Sequence, residues 1–348
     1  MIKQAIAKLV NKESLSFAQA KEVFEEIFNH KVSDAQIAAF LTALKMKEEK
    51  EDEIWAAATV IRNKSLKINV KKGFLGIEDK EQPIIDTCGT GGSGINKFNI
   101  STATGFVVAA SGVKVAKHGN RAMSSNCGSA DVLEAMGINF QANPLLMEEA
   151  IRKINLGFLY APAYHSALKI VAEVRKDIGT RTIFNVLGPL CNPALANYQL
   201  LGVYSPELTV VLAKVLRRLG TKKAFVVYSK DLGDEVSLSG KTDVAFLNNK
   251  RITKLSLSPA SFGLKKCKVS DLLVKNAKVS AKVIRGIFKG EKTPARDIVL
   301  ANAAVCFYIL GKAINLKEGA KTAALLIDQG KANDTFLKFK SFLNKTKK

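Results

Sequence analysis

PIIDTCGTGGSGINKFNIST, residues 83–102, puts an apolar run, a glycine-rich turn and a helix start in direct succession. Pro83, Ile84 and Ile85 read as a buried strand, Gly89-Thr90-Gly91-Gly92-Ser93-Gly94 as a turn, and Asn99, Ser101 and Thr102 are residue types that open helices. The same succession outlines an anion site. Glycines let the backbone turn with positive φ and approach a ligand closely, so that successive N–H groups converge, and the following helix adds unpaired N–H groups and the positive end of its dipole. A tight turn before a capped helix has the same letters, so the loop alone decides nothing. Its spacing matches neither GxGxxG nor GxxxxGK[ST], which argues against an ordinary dinucleotide or nucleoside-triphosphate site.

Working outward, Val113-Lys114-Val115-Ala116-Lys117-His118-Gly119-Asn120-Arg121 is a short apolar strand that runs into a cationic and polar turn. Lys117 and Arg121 carry charge suited to phosphate, His118 and Asn120 carry directional hydrogen bonds, and Gly119 keeps the backbone close. Ser124-Ser125 and Gly128-Ser129-Ala130-Asp131 add hydroxyls and a second turn before the helical pattern Val132–Met136. A solvated basic loop is the plain alternative for either segment taken singly. Two glycine-bearing loops after neighbouring strands favour the anion site. Farther on, Asp231-Leu232-Gly233-Asp234-Glu235 follows the apolar strand Ala224–Tyr228, and its acidic pair reads either as an exposed turn or as hard oxygen ligands for Mg²⁺.

The rest of the chain sets the architecture. Phe17–Asn29, Ser33–Leu44 and Glu51–Arg62 have apolar residues at helical spacing, with Ser16 and Ser33 as caps, so residues 1 to about 72 read as helices up to the lysine-rich boundary Lys64–Lys72. Trp55 falls on such an apolar face and reads as core or interface. From Ile84 onward short apolar strands alternate with glycine-punctuated helices, including Tyr198–Tyr204, Pro206–Leu219 and Pro294–Leu310. That alternation predicts an α/β fold: a small N-terminal helical subdomain plus a large α/β domain whose mostly parallel central sheet is covered by helices. The segment Tyr160–Ile183 has helical periodicity of its own.

With 348 residues, 47% hydrophobic, the chain is long enough for two domains around a large core. No apolar run approaches the roughly 18 residues of a membrane helix, and MIKQAIAKLVNKE lacks a signal-peptide segment, so the expected location is cytoplasmic with no membrane partner. Five cysteines at irregular spacing, Cys88, Cys127, Cys191, Cys267 and Cys306, offer neither a disulfide framework nor a zinc pattern and read as reduced small hydrophobes. With 53 Lys+Arg against 31 Asp+Glu the formal net charge is +22, which raises nucleic-acid binding as an alternative. Against it, the lysines are spread along the chain, the C-terminal Lys345-Thr346-Lys347-Lys348 is short, and aromatics make up only 7%, leaving no stacking platform; a field that attracts small anions suffices.

Taken together, GTGGSGINKFNIST, AKHGNRAMSSNCGSADVLEAMG, RTIFNVLGPLCNPA (Arg181–Ala194) and DEVSLSG (Asp234–Gly240) resemble, in order, the signatures of the anthranilate phosphoribosyltransferase family. Ser33–Leu41 and Asn302-Ala303-Ala304 look like further landmarks, so the resemblance spans the chain. It implies transfer of the phosphoribosyl group of phosphoribosyl pyrophosphate (PRPP) to anthranilate in tryptophan biosynthesis. It implies a discontinuous division: residues 1–75 joined by about 160–185 as the helical part, 76–159 and 186–348 as the phosphoribosyl-binding part. The resemblance assigns PRPP to Gly89, Gly92, Ser93, Lys97, Asn99, Ile100, Ser101 and Thr102, to Lys117, His118, Gly119, Asn120, Arg121, Ala122, Met123, Ser124 and Ser125, and to Ser129. It assigns anthranilate to Gly89, His118, Asn120 and Arg175, with the guanidinium of Arg175 on the carboxylate, and metal to Ser101, Asp234 and Glu235. Two Mg²⁺ per site, a homodimer through the N-terminal helices and no acid–base residue complete the implication.

Two positions depart from the pattern. Ser93 stands where the family usually has Asp, which removes a carboxylate beside the diphosphate and predicts weaker binding of a second metal and less inhibition by excess Mg²⁺. Lys97 replaces the usual Ser or Thr and adds positive charge at the same loop. A pyrimidine-nucleoside phosphorylase shares the fold and a similar glycine loop, but the KHGNR and RTIFNVLGPLCNP segments and the absence of that enzyme's long extra domain favour the transferase.

Overall fold

Ser16 and Ser33 each accept the N–H of the glutamine three residues on and donate their own N–H to its side-chain oxygen, closing capping boxes that start two of the N-terminal helices. The computed structural model describes residues 1–70, 82–122 and 127–345. Four helices lead: α1 (Ile2–Val10), α2 (Phe17–Phe28), α3 (Asp34–Lys47) and α4 (Glu51–Lys64). The acidic first turn of α4 and its basic last turn oppose the helix dipole. Trp55, on α4, stacks on Phe17 with centroids 3.8 Å apart, and the Arg218 guanidinium lies 4.7 Å from its ring. Residues 71–81, which hold the end of the lysine-rich boundary and the expected 75/76 division, lie outside the described residues.

The sheet has seven strands: β1 (Ile84–Asp86), β2 (Lys114–Gly119), β3 (Leu156–Tyr160), β4 (Tyr198–Gly202), β5 (Lys223–Ser229), β6 (Thr242–Asn248) and β7 (Arg251–Leu257). Their spatial order is β3-β2-β1-β4-β5-β6-β7, with β1 to β5 parallel and β6 and β7 antiparallel. The antiparallel hairpin turns at Asn249, whose φ of 55° suits an asparagine. Helices connect and cover the strands: α5 (Ile100–Ala109), α6 (Ser129–Ala135), α7 (Pro144–Ile154), α8 (Ala161–Tyr164), α9 (Ala172–Ile178), α10 (Phe184–Leu187), α11 (Leu208–Arg218), α12 (Pro259–Phe262), α13 (Ala277–Phe288), α14 (Pro294–Ile309), α15 (Leu316–Asp328) and α16 (Lys331–Asn344).

Alternation along the strands divides the core. Leu200, Phe225 and Val227 pack with α5, α14 and the C-terminal helices, while Leu201, Val203, Ala224 and Val226 point the other way, onto α11 and the N-terminal helices. Val171, Val174, Ile183 and Phe184 join that second core, so residues around 171–184 pack with α2 and α3 rather than with the far face of the sheet. Such burial, at about 25 cal/mol per Å² of apolar surface, is the main favourable term holding the two parts together. No helix among the described residues is long and apolar enough to cross a membrane. All five cysteines are unpaired.

Candidate active site

The strand order reverses at β1, which has β2 on one side and β4 on the other. In open α/β sheets, ligands bind beyond the C-terminal ends of strands at such a switch point. The chain leaving β1 is the glycine loop, and β2 and β4 end beside it. Gly91, Gly92 and Gly94 have φ of 65°, 76° and 73°, values side chains resist. The N–H groups of Gly91, Gly92, Ser93 and Gly94 donate to no acceptor among the described residues, although Thr90 N–H, just before them, bonds Gly202 O at 2.8 Å. Four clustered free donors make an anion-binding concavity. Arg181 holds the loop from outside, its Nη2 on the Gly92 carbonyl and its guanidinium 4.4 Å from the centre of the Tyr204 ring.

At the start of α5 the N–H groups are already engaged. Asn99 Oδ1 caps Thr102 N–H at 3.0 Å and accepts the Ser101 hydroxyl at 3.3 Å, and its Nδ2 reaches Cys127 O at 3.3 Å and Ser129 Oγ at 3.4 Å. Ile100 N–H bonds Phe98 O at 2.8 Å. Ser101 N–H bonds the Glu235 carboxylate. The anion that this helix end holds is therefore the protein's own, and the open donors belong to the glycine loop.

Glu235 is buried, and that burial pushes its carboxyl up to about 8; the Lys97 ammonium opposes the rise, Asp234 adds to it and Lys117 opposes it. Lys117, equally buried, donates from Nζ to Ser101 Oγ at 3.1 Å. Lys97 Nζ donates to Asp234 Oδ1 at 2.7 Å, and to Ser93 Oγ and Leu232 O at 2.9 Å each. The acidic loop abuts the end of β4 so closely that a Cβ on Gly202 would lie 1.7 Å from Asp234 O. Ser93, Lys97, Ser101, Lys117, Asp234 and Glu235 thus lie in one cluster. The donor set, two carboxylates and a hydroxyl, fits a hard cation such as Mg²⁺, and burial holds the Glu235 carboxyl up although two lysines face it.

Asp86 and Asn192, to which the sequence reading gives no role, fix β1 against β2. The fully buried Asp86 accepts Cys88 N–H at 2.9 Å and His118 N–H at 3.2 Å on Oδ1, and Asn192 Nδ2 at 2.7 Å on Oδ2. Burial raises its carboxyl to about 6 despite Lys117 and these hydrogen bonds. His118 carries the network further: its Nδ1 faces Gly188 O at 2.8 Å and its Nε2 lies 3.1 Å from His165 Nε2, whose Nδ1 is 2.6 Å from Ser65 Oγ. With the proton of His118 on Nδ1, His165 donates to His118 from Nε2. Burial, with His165 second, pushes His118 down to about 3, and burial pushes His165 down to about 4, so both rings are neutral. Cys88 is no nucleophile: burial lifts its thiol to about 12.

Other sequence-predicted residues have further duties. The Arg121 guanidinium is committed to Asp131 at 2.8 Å and Glu134 at 2.9 Å and 3.0 Å, and covers the Phe140 ring. Ala122 N–H and Gly128 N–H both bond Asp131 Oδ2, at 2.9 Å and 3.1 Å, which draws together the two ends of the loop whose middle, with Met123, Ser124 and Ser125, lies outside the described residues. Asn120 is exposed and its Oδ1 accepts Arg121 N–H at 2.8 Å. Gly119 ends β2 against Phe158, and Gly89 lies against Gly202 O and the Asp234 carboxylate. Arg175, on α9, is half-buried with its guanidinium 5.2 Å from the Phe184 ring, and desolvation lowers its pKa. The segment that carries Phe184 also carries Gly188, whose carbonyl faces His118 Nδ1.

This geometry has close counterparts. A family model described as "Glycosyl transferase family, a/b domain" matches residues 81–333, and one described as "Glycosyl transferase family, helical bundle domain" matches residues 3–65. The anthranilate phosphoribosyltransferase of Geobacter sulfurreducens is 48% identical over 337 residues, 95% of this chain and 96% of the relative, and that of Lachnoclostridium phytofermentans is 45% identical over 99% of this chain and 100% of the relative. Among solved structures, the Thermus thermophilus anthranilate phosphoribosyltransferase superposes with a TM-score of 0.89 at 37% identity, covering 98% of this chain and 99% of that one. The Saccharomyces cerevisiae enzyme in complex with PRPP and Mg does so with a TM-score of 0.86 at 28% identity, covering 99% and 98%. Full-length identity of this order, with the glycine loop and the acidic pair at one switch point, means that the chain belongs to the anthranilate phosphoribosyltransferase family.

Proposed function

We propose that the chain transfers the phosphoribosyl group of PRPP to the amino group of anthranilate, giving N-(5-phosphoribosyl)anthranilate and pyrophosphate, in tryptophan biosynthesis. The observation that carries this is the set of four free loop N–H groups beside the buried Lys97 and Lys117 ammoniums and the Asp234–Glu235 pair. In the reaction the bond from the anomeric carbon to pyrophosphate breaks with its electron pair leaving on oxygen, the amine nitrogen bonds that carbon, and the amine loses a proton. An aryl amine is neutral at pH 7, so placement and charge stabilisation matter more than a strong base. The neutral imidazoles of His118 and His165 agree with that division of labour.

The glycine loop, Asn99 to Thr102, the Lys117–Ser125 segment and Ser129 line PRPP in this reading. Magnesium would neutralise charge on the departing diphosphate, with Ser101, Glu235 and Asp234 as its oxygen donors; the family resemblance implies two ions, of which the one at Asp234 is weakened by Ser93. Arg175, whose charge is poorly solvated, gains a partner when anthranilate brings its carboxylate, and Gly89, His118 and Asn120 line the same substrate. The site then sits where the helical part, residues 1–75 with about 160–185, meets the α/β part, and the molecule is a cytoplasmic homodimer through its N-terminal helices. Anthranilate fluorescence should fall only when protein, PRPP and Mg²⁺ are all present, and the Asp234→Asn/Glu235→Gln protein should not turn over. No turnover by the unmodified chain would sink the reading.

A further inference from the structure

We infer that Lys97 is a built-in cation of the diphosphate site, its ammonium standing at Asp234 in place of a second metal ion. This rests on the transferase reading above and adds to it a charge that needs no binding equilibrium. The three ammonium protons meet three oxygens of three chemical kinds: the Asp234 carboxylate at 2.7 Å, the Ser93 hydroxyl at 2.9 Å and the Leu232 carbonyl at 2.9 Å. That is a hard-oxygen set of the sort a metal would draw on, already saturated by a side chain. The two side chains are only 9% and 12% exposed. A buried ion pair adds little to stability over an apolar pair of the same volume, so its position needs a reason beyond holding the fold.

Its position supplies one. Ser93 belongs to the glycine turn with the free N–H groups, and Leu232 and Asp234 belong to the acidic loop, so the ammonium ties the two loops where an anion would lie. Phe98 N–H on Leu272 O at 3.0 Å and Val274 N–H on Asn96 O at 2.8 Å brace the Lys97 backbone from the other side. A metal at Asp234 would have to displace a braced lysine. Lys97 takes Asp234 and leaves the neighbouring Glu235, so a single divalent ion is expected there.

Equilibrium dialysis of the full chain against Mn²⁺ and pyrophosphate tests this by counting bound ions per bound pyrophosphate. The unmodified chain should hold one Mn²⁺, Lys97→Thr two, and Lys97→Thr/Asp234→Asn one again. Since Lys97→Thr strands a carboxylate and can fail to fold, Asp234→Asn, which keeps the ammonium and removes the charge that neutralises it, gives an independent arm: it should hold one Mn²⁺ and bind pyrophosphate about tenfold more tightly, the effect of one net charge at roughly 10 Å. Two ions in the unmodified chain, one ion in folded Lys97→Thr, or unchanged or weaker pyrophosphate binding in Asp234→Asn would each overturn the inference while leaving the transferase reading in place. A chain that binds neither pyrophosphate nor Mn²⁺ would overturn the transferase reading, and the inference with it.

Discussion

Around Asp86 the molecule buries polar groups by hydrogen-bonding them, whereas around Asp234 it buries charges by pairing them. Asp86 meets three N–H donors and its neighbours His118 and His165 are neutral rings in a chain of contacts that ends at backbone carbonyls. Asp234 and Glu235 face two ammoniums instead, and Glu235 remains raised to about 8, mainly by its burial. A network in which every group is satisfied has nothing left to offer a ligand and serves to fix strands. One with charge still unmatched is made to be completed from outside. The contrast separates the part of the site that positions from the part that binds.

Removing Asp86 should therefore damage the fold most. Asp86→Ala orphans two buried N–H groups and the Asn192 amide, and should cost about 3–5 kcal/mol in urea unfolding, against about 1–2 kcal/mol for Asp86→Asn, which keeps the bonds to Oδ1. Equal losses from the two would show that the acid's charge, rather than its hydrogen bonds, holds β1 to β2. Next in size, Glu235→Gln should leave the urea midpoint near that of the unmodified chain and lower kcat/KM by about 10²–10³, the usual effect of removing one preorganised charge contact. A large stability loss with intact turnover would place Glu235 in the scaffold instead.

Much of the binding half is legible in the sequence because it is local. Ser16 with Gln19, Ser33 with Gln36, and Asn99 with Thr102 close within three residues, and the strand–glycine–helix succession from Ile84 to Thr102 folds as its letters suggest. The positioning half is not legible, because its partners meet only in the fold: Asp86 and Asn192 are 106 residues apart, His118 and His165 47. Reversal of strand order at β1 depends likewise on pairing that no single window contains. Lys97 stands out in sequence as a departure, yet its partner Asp234 lies 137 residues on. Arg121 shows the converse, a cation placed beside the site whose guanidinium local acids have taken.

Arg175 tests whether the separation extends to the second substrate. A half-buried guanidinium over the Phe184 ring, its pKa lowered by desolvation, is a candidate for the binding half on the proposed reading. Arg175→Ala should raise KM for anthranilate about 10- to 100-fold, as loss of a charge-assisted pair would, and leave KM for PRPP within about twofold. Equal rises for both substrates would assign the arginine to the packing of α9 rather than to the carboxylate.

The smallest effect expected is a pH dependence of stability from the imidazole pair. His118 and His165 have native pKa values near 3 and 4, against 6.5 for a free imidazole. Between those limits the unfolded chain binds protons that the native one refuses, so their contribution is complete above about pH 6.5 and is lost as pH falls toward 4. Asp86 works against them: raised from 3.8 to about 6, it takes up its proton in the native state first, and so stabilises the native state as pH falls through 6. Glu235, raised from 4.5 to about 8, works in the same direction as Asp86, so the two acids roughly offset the two rings and the net change from pH 7.5 to 5.5 is within about 1 kcal/mol. Relative to the unmodified chain, His165→Gln, which retains a polar group beside His118, should gain roughly 1 kcal/mol of stability between pH 7.5 and 5.5, read from urea midpoints. An unchanged slope would mean that His165 already carries a proton in the folded chain, and that the contacts from Ser65 to Gly188 form a charged relay rather than a neutral brace.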